Sequence, residues 1–214
     1  MRISILCSDD EHPVNSYLER WIARHNASHD IELVRQKNEL GAGDILFLIS
    51  CSELIDQKIR DRFGASLVLH ASDLPEGRGW SPHIWQILEG KNSITLSLLE
   101  AEDSVDSGAI WKKIVIDVPV HALWNEINHA LFGAELELMT FAVSEFGRVF
   151  PLAQPLNAPG TYYPRRTAED SQLDPYVSIS KQFNKIRVCD PTRYPATFEL
   201  FGVKYKLIVE KLDA

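Results

Sequence analysis

A histidine and a cluster of carboxylates hold the chemistry of this chain. His70 ends an apolar run, Ser66–His70 (SLVLH), and a loop rich in proline and glycine follows from Asp73 to Pro82. Further on, Glu100-Ala101-Glu102-Asp103-Ser104-Val105-Asp106 is tightly acidic and closes on Ser107-Gly108, where a sharp turn is expected. A carboxylate beside an imidazole orients the ring and raises its basicity, so His70 and Asp106 form a natural acid–base pair if two strand ends bring them together. Taken alone, the same residues also fit a structural histidine and a solvated acidic loop.

The elements that must position them alternate between strand and helix patterns. Arg2–Cys7, Ile31–Val34, Asp44–Ile49, Ser66–His70, Ile94–Leu99 and Ile110–Val118 read as strands. Asp44–Ile49 (DILFLI) is apolar throughout, as a strand covered on both faces requires. His12–Asn26 spaces Val14, Tyr17, Leu18, Trp21 and Ile22 along one helical face, Ser52–Arg62 fits a short helix, and Pro82–Leu88 opens with proline in a first turn. Residues 119–146 are the longest helical stretch, and Gly133 is a point of interruption within it. This alternation predicts an α/β domain with a mostly parallel sheet, whose ligands bind at the carboxyl ends of the strands, where His70 falls. Beyond Gly147 the texture changes. The run 154–167 (QPLNAPGTYYPRRT) reads as a traversing loop, and the tail as a β-hairpin around Phe201-Gly202.

Composition narrows the classes. Of 214 residues, 45% are hydrophobic and 24% charged, and 22 Lys and Arg against 30 Asp and Glu leave a net charge of −8. That balance argues against a nucleic-acid or anionic-membrane binder, and no apolar run approaches membrane-spanning length. The N-terminus reads as a first strand rather than a signal peptide. Three cysteines without CxxC spacing predict neither a structural disulfide nor a zinc site and fit a reducing cytoplasm. Gly41-Ala42-Gly43 precedes a strand, whereas a dinucleotide fingerprint must follow one.

Residues 66–110 resemble the catalytic core of the folate-dependent formyltransferases. That family carries Asn-x-His, a Leu-Pro-x-x-Arg-Gly-x-x-Pro loop with a tryptophan in the next helix, and Asp-x-Gly-x-Ile. Here stand His70, Leu74-Pro75-Glu76-Gly77-Arg78-Gly79-Trp80-Ser81-Pro82, Trp85 and Asp106-Ser107-Gly108-Ala109-Ile110, with 36 residues from His70 to Asp106. The resemblance implies an open, mostly parallel Rossmann-like sheet over 1–150 and a C-terminal extension over 151–214, with a hairpin, completing the acceptor site. It implies 10-formyltetrahydrofolate as co-substrate, no metal, and His70 as general base or oxyanion donor with Asp106 setting its orientation. Phe47, Leu48, Ile49, Arg78, Glu100 and Asp103 fall where the family binds folate, and Phe47–Ile49 are equally suited to the sheet core. One departure stands out: Val68 occupies the place of the family's asparagine, an oxyanion donor whose loss costs on the order of 100-fold or more. Ser66, Ser72 and Asn92 are the nearby substitutes.

Within the family, the loop wording and the tail (Tyr163-Pro164-Arg165-Arg166-Thr167, Phe183-Asn184-Lys185-Ile186-Arg187, Tyr194-Pro195-Ala196-Thr197-Phe198) are similar to the sugar-nucleotide N-formyltransferases. This implies a nucleotide-linked 4-amino-4,6-dideoxy sugar as acceptor, UDP-linked as in the short members of pseudaminic-acid-like pathways, bound through Ser72, Trp80, Tyr163, Arg165, Arg166, Asn184, Arg187 and Tyr194. Guanidinium groups suit a pyrophosphate and aromatic faces a base, but the same arginines also fit ion pairs with Glu169, Asp170, Asp174 and Asp190 that staple the tail down. About 55 residues follow Pro159, fewer than the tRNA-binding domain of methionyl-tRNA formyltransferases, and an acidic chain suits a phosphate backbone poorly. No nucleic acid or membrane partner is expected, and a homodimer is left open. A module that binds folate or nucleotide sugar without turnover, or a formyltransferase acting on another small amine, is the competing outcome.

Overall fold

The computed structural model describes residues 1–155 and 160–212, so residues 156–159 of the traversing loop lie outside the described residues. In chain order the elements are β1 (Arg2–Leu6), α1 (Asn15–His25), β2 (Asp30–Val34), β3 (Gly43–Leu48), α2 (Gln57–Arg60), β4 (Phe63–His70) and β5 (Arg78–Gly79). After them come α3 (Pro82–Leu88), β6 (Ser93–Glu100), β7 (Ile110–Asp117) and α4 (Trp124–Ser144). The tail adds β8 (Tyr162–Tyr163), α5 (Phe183–Arg187), β9 (Ala196–Leu200) and β10 (Val203–Leu207).

Six strands form one sheet in the order β2-β1-β3-β4-β6-β7. The first four are mutually parallel, and β6 and β7 run antiparallel to their neighbours. This is the expected α/β class with an open, mostly parallel sheet and a C-terminal hairpin, β9–β10, turning at Phe201-Gly202. Alternate residues of β3 feed two apolar layers. Ile45 and Phe47 pack with Ile3, Ile5, Trp21 of α1 and Leu138 and Met139 of α4, while Leu46 and Leu48 pack with Leu6, Ile55 and Phe63. An apolar residue on both faces is what a central strand needs, and it explains why this run reads without alternation.

Several boundaries differ from the sequence reading. The first helix starts at Asn15 rather than His12, because the Asn15 side-chain amide lies 2.9 Å from the carbonyls of Asp9, Asp10 and His12 and holds that segment as a loop. Only Gln57–Arg60 of the expected helix 52–62 is helical, its N-terminus capped by the Asp56 carboxylate accepting from the Ile59 N–H. Residues 51–55 stay open as a loop. Gly133 does not interrupt α4: it sits on the exposed side, while Ile127, Leu131, Leu138 and Ala142 bury the opposite face and carry the helix through.

Candidate active site

His70 is the last residue of β4, beside β6, and its side chain is buried. Its Nε2 lies 2.8 Å from the carbonyl oxygen of Gly77. A carbonyl can only accept, so Nε2 carries the proton and Nδ1 is the basic nitrogen of the neutral ring. Nδ1 stands 3.4 Å from Asp106 Oδ1, and both side chains are 7% exposed. A proton taken up at Nδ1 therefore produces an imidazolium flanked by two acceptors, the Gly77 carbonyl and the Asp106 carboxylate.

Loop chemistry holds Asp106 in place. Its backbone adopts φ of 55°, its Oδ2 accepts from the Gly79 N–H at 2.9 Å, and the Gln154 amide donates to the carbonyls of Asp106 and Gly108 at 2.9 Å. Glycine is required at 108 and at 79. A β-carbon at Gly108 would overlap the Glu100 carbonyl, and one at Gly79 would overlap the Tyr163 carbonyl as well as forcing a side chain into φ of 99°. The Gly77 N–H donates to Thr161 Oγ1 at 2.8 Å, and β5 pairs with β8 in parallel. The tail thus anchors the loop that fixes both catalytic candidates.

The pair opens on a cavity of about 590 Å³, within the range of small-molecule sites. One wall comes from the strand-end loops, with Leu48, Ile55, Val68, Glu100 and Val105; a second comes from the loop after β1, with Ser8, Asp9 and His12. Trp80, His83, Arg165, Arg166, Arg193 and Tyr194 form a third, and α4 contributes Trp124, Asn128, Phe132 and Glu135. Arg165 lies over the Trp80 ring, 5.1 Å from its centroid. Arg193 pairs with Asp9 and packs on Tyr194. Burial, with the Arg193 charge nearby, pushes His12 down to about 4; burial and the Arg166 charge push His83 down to about 3. Both imidazoles are neutral at pH 7 and leave the arginines as the cationic groups of that wall. Leu48, Ile55 and Val68 give the cavity an apolar surface beside Glu100, Ala101, Glu102, Val105 and Asp106 of the acidic loop.

Of the residues singled out in the sequence, His70, Asp106, Leu48, Val68, Glu100, Trp80, Arg165, Arg166, Asp190 and Tyr194 meet at this cavity. Among the described residues, the others do not line it. Phe47 and Ile49 point into the core, because alternate residues of β3 take opposite faces. Arg78 donates to Gln154 Oε1, and Asp103 is turned outward to Arg60 at 2.7 Å. Ser72 is buried behind the histidine, its carbonyl accepting from Ser97 Oγ. Tyr163 donates to Glu89 and stacks on Trp85. Arg187 is 1% exposed: Nε donates to Asn184 Oδ1 at 2.8 Å and Nη1 to the Pro119 carbonyl at 3.0 Å, so Asn184 and Arg187 staple the tail to the start of α4. Absent from the sequence reading were His12, His83, Asn128 and Glu135. The position of His12 just past a parallel strand's carboxyl end was a usable signal, and so was a glutamate four residues beyond Leu131 on the apolar face of α4.

An acid–base pair thus stands at the strand ends of an open α/β sheet and faces a cavity one of whose walls carries Arg165, Arg166 and Arg193. The family model described as formyl transferase matches residues 5–143, and the chain belongs to that family, whose formyl donor is 10-formyltetrahydrofolate. The methionyl-tRNA formyltransferase of Rickettsia africae is 27% identical over 183 residues, 84% of this chain and 58% of that one, so this chain spans little more than half the length of such curated relatives. A solved methionyl-tRNA formyltransferase from Clostridium thermocellum superposes with a TM-score of 0.81 at 21% identity, covering 95% of this chain and 90% of the other. A 4-N formyltransferase from Francisella tularensis gives 0.72 at 16% identity, covering 100% and 98%. At these identities the superpositions establish the fold. Among the described residues, no helix is long and apolar enough to cross a membrane, and no group of three or more His, Cys, Asp or Glu is placed to hold a metal ion.

Proposed function

We propose that this protein transfers a formyl group from 10-formyltetrahydrofolate to the amine of a nucleotide-linked 4-amino-4,6-dideoxy sugar, UDP-linked in the first instance. The observation that carries the transfer is the His70–Asp106 pair, fixed by Gly77, Gly79 and Gln154 at the mouth of the cavity. When bound, 10-formyltetrahydrofolate supplies an activated formyl carbon, to which the acceptor nitrogen bonds as the bond from that carbon to N10 breaks. His70 Nδ1 takes the proton that the amine sheds and returns it to N10, so the step is balanced in protons. Asp106 stabilises the imidazolium in between, and the cavity walls hold amine and formyl group in contact, which supplies much of the acceleration. Val68 offers no hydrogen bond to the formyl oxygen, and both N–H groups of protonated His70 face Gly77 and Asp106, which leaves backbone N–H groups to meet the charge developing there.

The sugar-nucleotide acceptor is supported by the tail. Arg165 and Arg166 stand in the cavity wall with Trp80 and Tyr194, guanidinium beside aromatic face, as a pyrophosphate joined to a base would use them. In this reading residues 151–214 form the acceptor half of the site. The match to methionyl-tRNA formyltransferases favours a second acceptor, a charged tRNA. Net charge supports the sugar nucleotide, since residues 1–159 hold 13 basic against 23 acidic side chains, and the small excess of 9 over 7 lies in 160–214. That distribution suits a compact dianion better than a nucleic-acid backbone. Calorimetric titration of UDP-, dTDP- and GDP-linked 4-amino sugars, beside methionyl-tRNA, decides between them. Heat of binding with a nucleotide sugar and none with the tRNA is the expected result; the reverse would replace the acceptor.

A further inference from the structure

Glu135 is the buried titratable group that this reaction leaves without a task. It lies on the face of α4 that also carries Trp124, Asn128 and Phe132 into the cavity. The residue is 7% exposed, and its Oε2 is buried without a hydrogen-bond partner. An unpartnered buried carboxyl is costly, and a protein keeps one where a ligand completes it. No salt bridge to Glu135 is formed among the described residues.

Its neighbours say which ligand. Phe132, one turn before Glu135, packs edge-on against His12 at 5.7 Å between ring centroids. His12 is within the influence of Arg193 and Asp9, which tie the tail to the loop after β1. The α4 wall therefore borders the tail wall, the acceptor half of the cavity under the function proposed above. We infer that Glu135 is a specificity-determining residue whose carboxyl hydrogen-bonds a hydroxyl of the acceptor's sugar ring. A neutral carboxyl both donates and accepts, as a hydroxyl does, whereas a phosphate or an ammonium calls for a charged partner. Burial holds Glu135 protonated up to about 8, in keeping with that form.

This inference rests on the sugar-nucleotide reading, and the test separates the two. Wild type, Glu135→Gln and Glu135→Leu are assayed with 10-formyltetrahydrofolate and a UDP-linked 4-amino-4,6-dideoxyhexose, and each is titrated with that sugar nucleotide and with UDP alone. Gln, which also donates and accepts, keeps the acceptor KM within about twofold. Leu raises it about tenfold, the worth of one hydrogen bond to a ligand, with folate KM and UDP affinity unchanged. Glu135→Met, measured alongside, gives the same result if Leu prevents folding. Equal acceptor KM in all variants overturns the assignment while leaving the reaction standing, as does a loss with Gln as large as that with Leu, which would mean a working carboxylate. A wild type that binds UDP and no amino sugar overturns the acceptor, and this inference with it.

Discussion

Residues 66–110 and residues 160–194 both build the site, by opposite means. In the first region chain order and spatial order agree. A strand ends at His70, a loop crosses back over it, and the next strand pair delivers Asp106, so two side chains 36 residues apart meet at 3.4 Å. In the second region similar residues diverge. Arg165 lies on Trp80 in the cavity, whereas Arg187, an arginine of the same tail, is buried and bonded to carbonyls at the start of α4. A side chain's type specifies its chemistry; whether that chemistry faces a ligand or the protein's own backbone depends on which element docks where.

Breaking each half separately sharpens this contrast. The largest effect is expected at the pair: His70→Ala lowers kcat/KM for formyl transfer by about 10²- to 10⁴-fold, with circular dichroism and melting temperature unchanged. A folded variant that keeps wild-type turnover would remove the acid–base role. Arg187→Leu strikes stability. It removes the guanidinium from the Pro119 and Ala122 carbonyls, of which Pro119 keeps the Ala122 N–H, and costs about 2 kcal/mol and roughly 5 °C in Tm. Retention of the wild-type Tm would show that the buried arginine is not the staple. Arg165→Ala, by contrast, raises the acceptor KM about tenfold with Tm unchanged. If Tm falls and KM does not, the two arginines have exchanged roles.

Stability also depends on pH. His12 and His83 titrate near 6.5 when unfolded and at about 4 and 3 when folded, so the unfolded chain binds more protons and stability is lost as pH falls below 6.5. Glu135 runs the other way: from 4.5 unfolded to about 8 folded, it makes the folded chain bind more protons, and stability declines as pH rises through that window. Two histidines outweigh one glutamate below 6.5, so Tm is greatest near pH 6.5, and Glu135→Gln flattens the decline between 6.5 and 8. An unchanged decline in that variant would assign it to another group.

The fold was legible because local signals fixed it, and the meeting of His70 with Asp106 was legible through the family motif, since the two residues alone also fit a structural histidine and a solvated loop. Asp44–Ile49 carries apolar residues for both faces of a central strand, and the loop around Gly79 and Gly108 admits no side chain at the two closest backbone approaches. The tail-side wall of the cavity was half legible. Trp80, Arg165, Arg166 and Tyr194 were found by type, but nothing local distinguishes Arg165 from Arg187, since the docking of α5 on the segment Pro119–Ala122 ahead of α4 sets the difference. His83 belongs to a helix whose cavity-facing side emerges only once the tail is in place, whereas Glu135 had a local signal in its place on the apolar face of α4.

The central claim, that His70 and Asp106 transfer a formyl group to an amino sugar, is tested most directly by mass spectrometry of the product. The protein is incubated with 10-formyltetrahydrofolate and the nucleotide-linked 4-amino sugars, beside His70→Ala. A formylated sugar nucleotide formed with stoichiometric tetrahydrofolate, by the wild type and not by the variant, is the predicted result. No formylated product with any sugar nucleotide, or equal product from His70→Ala, would contradict it.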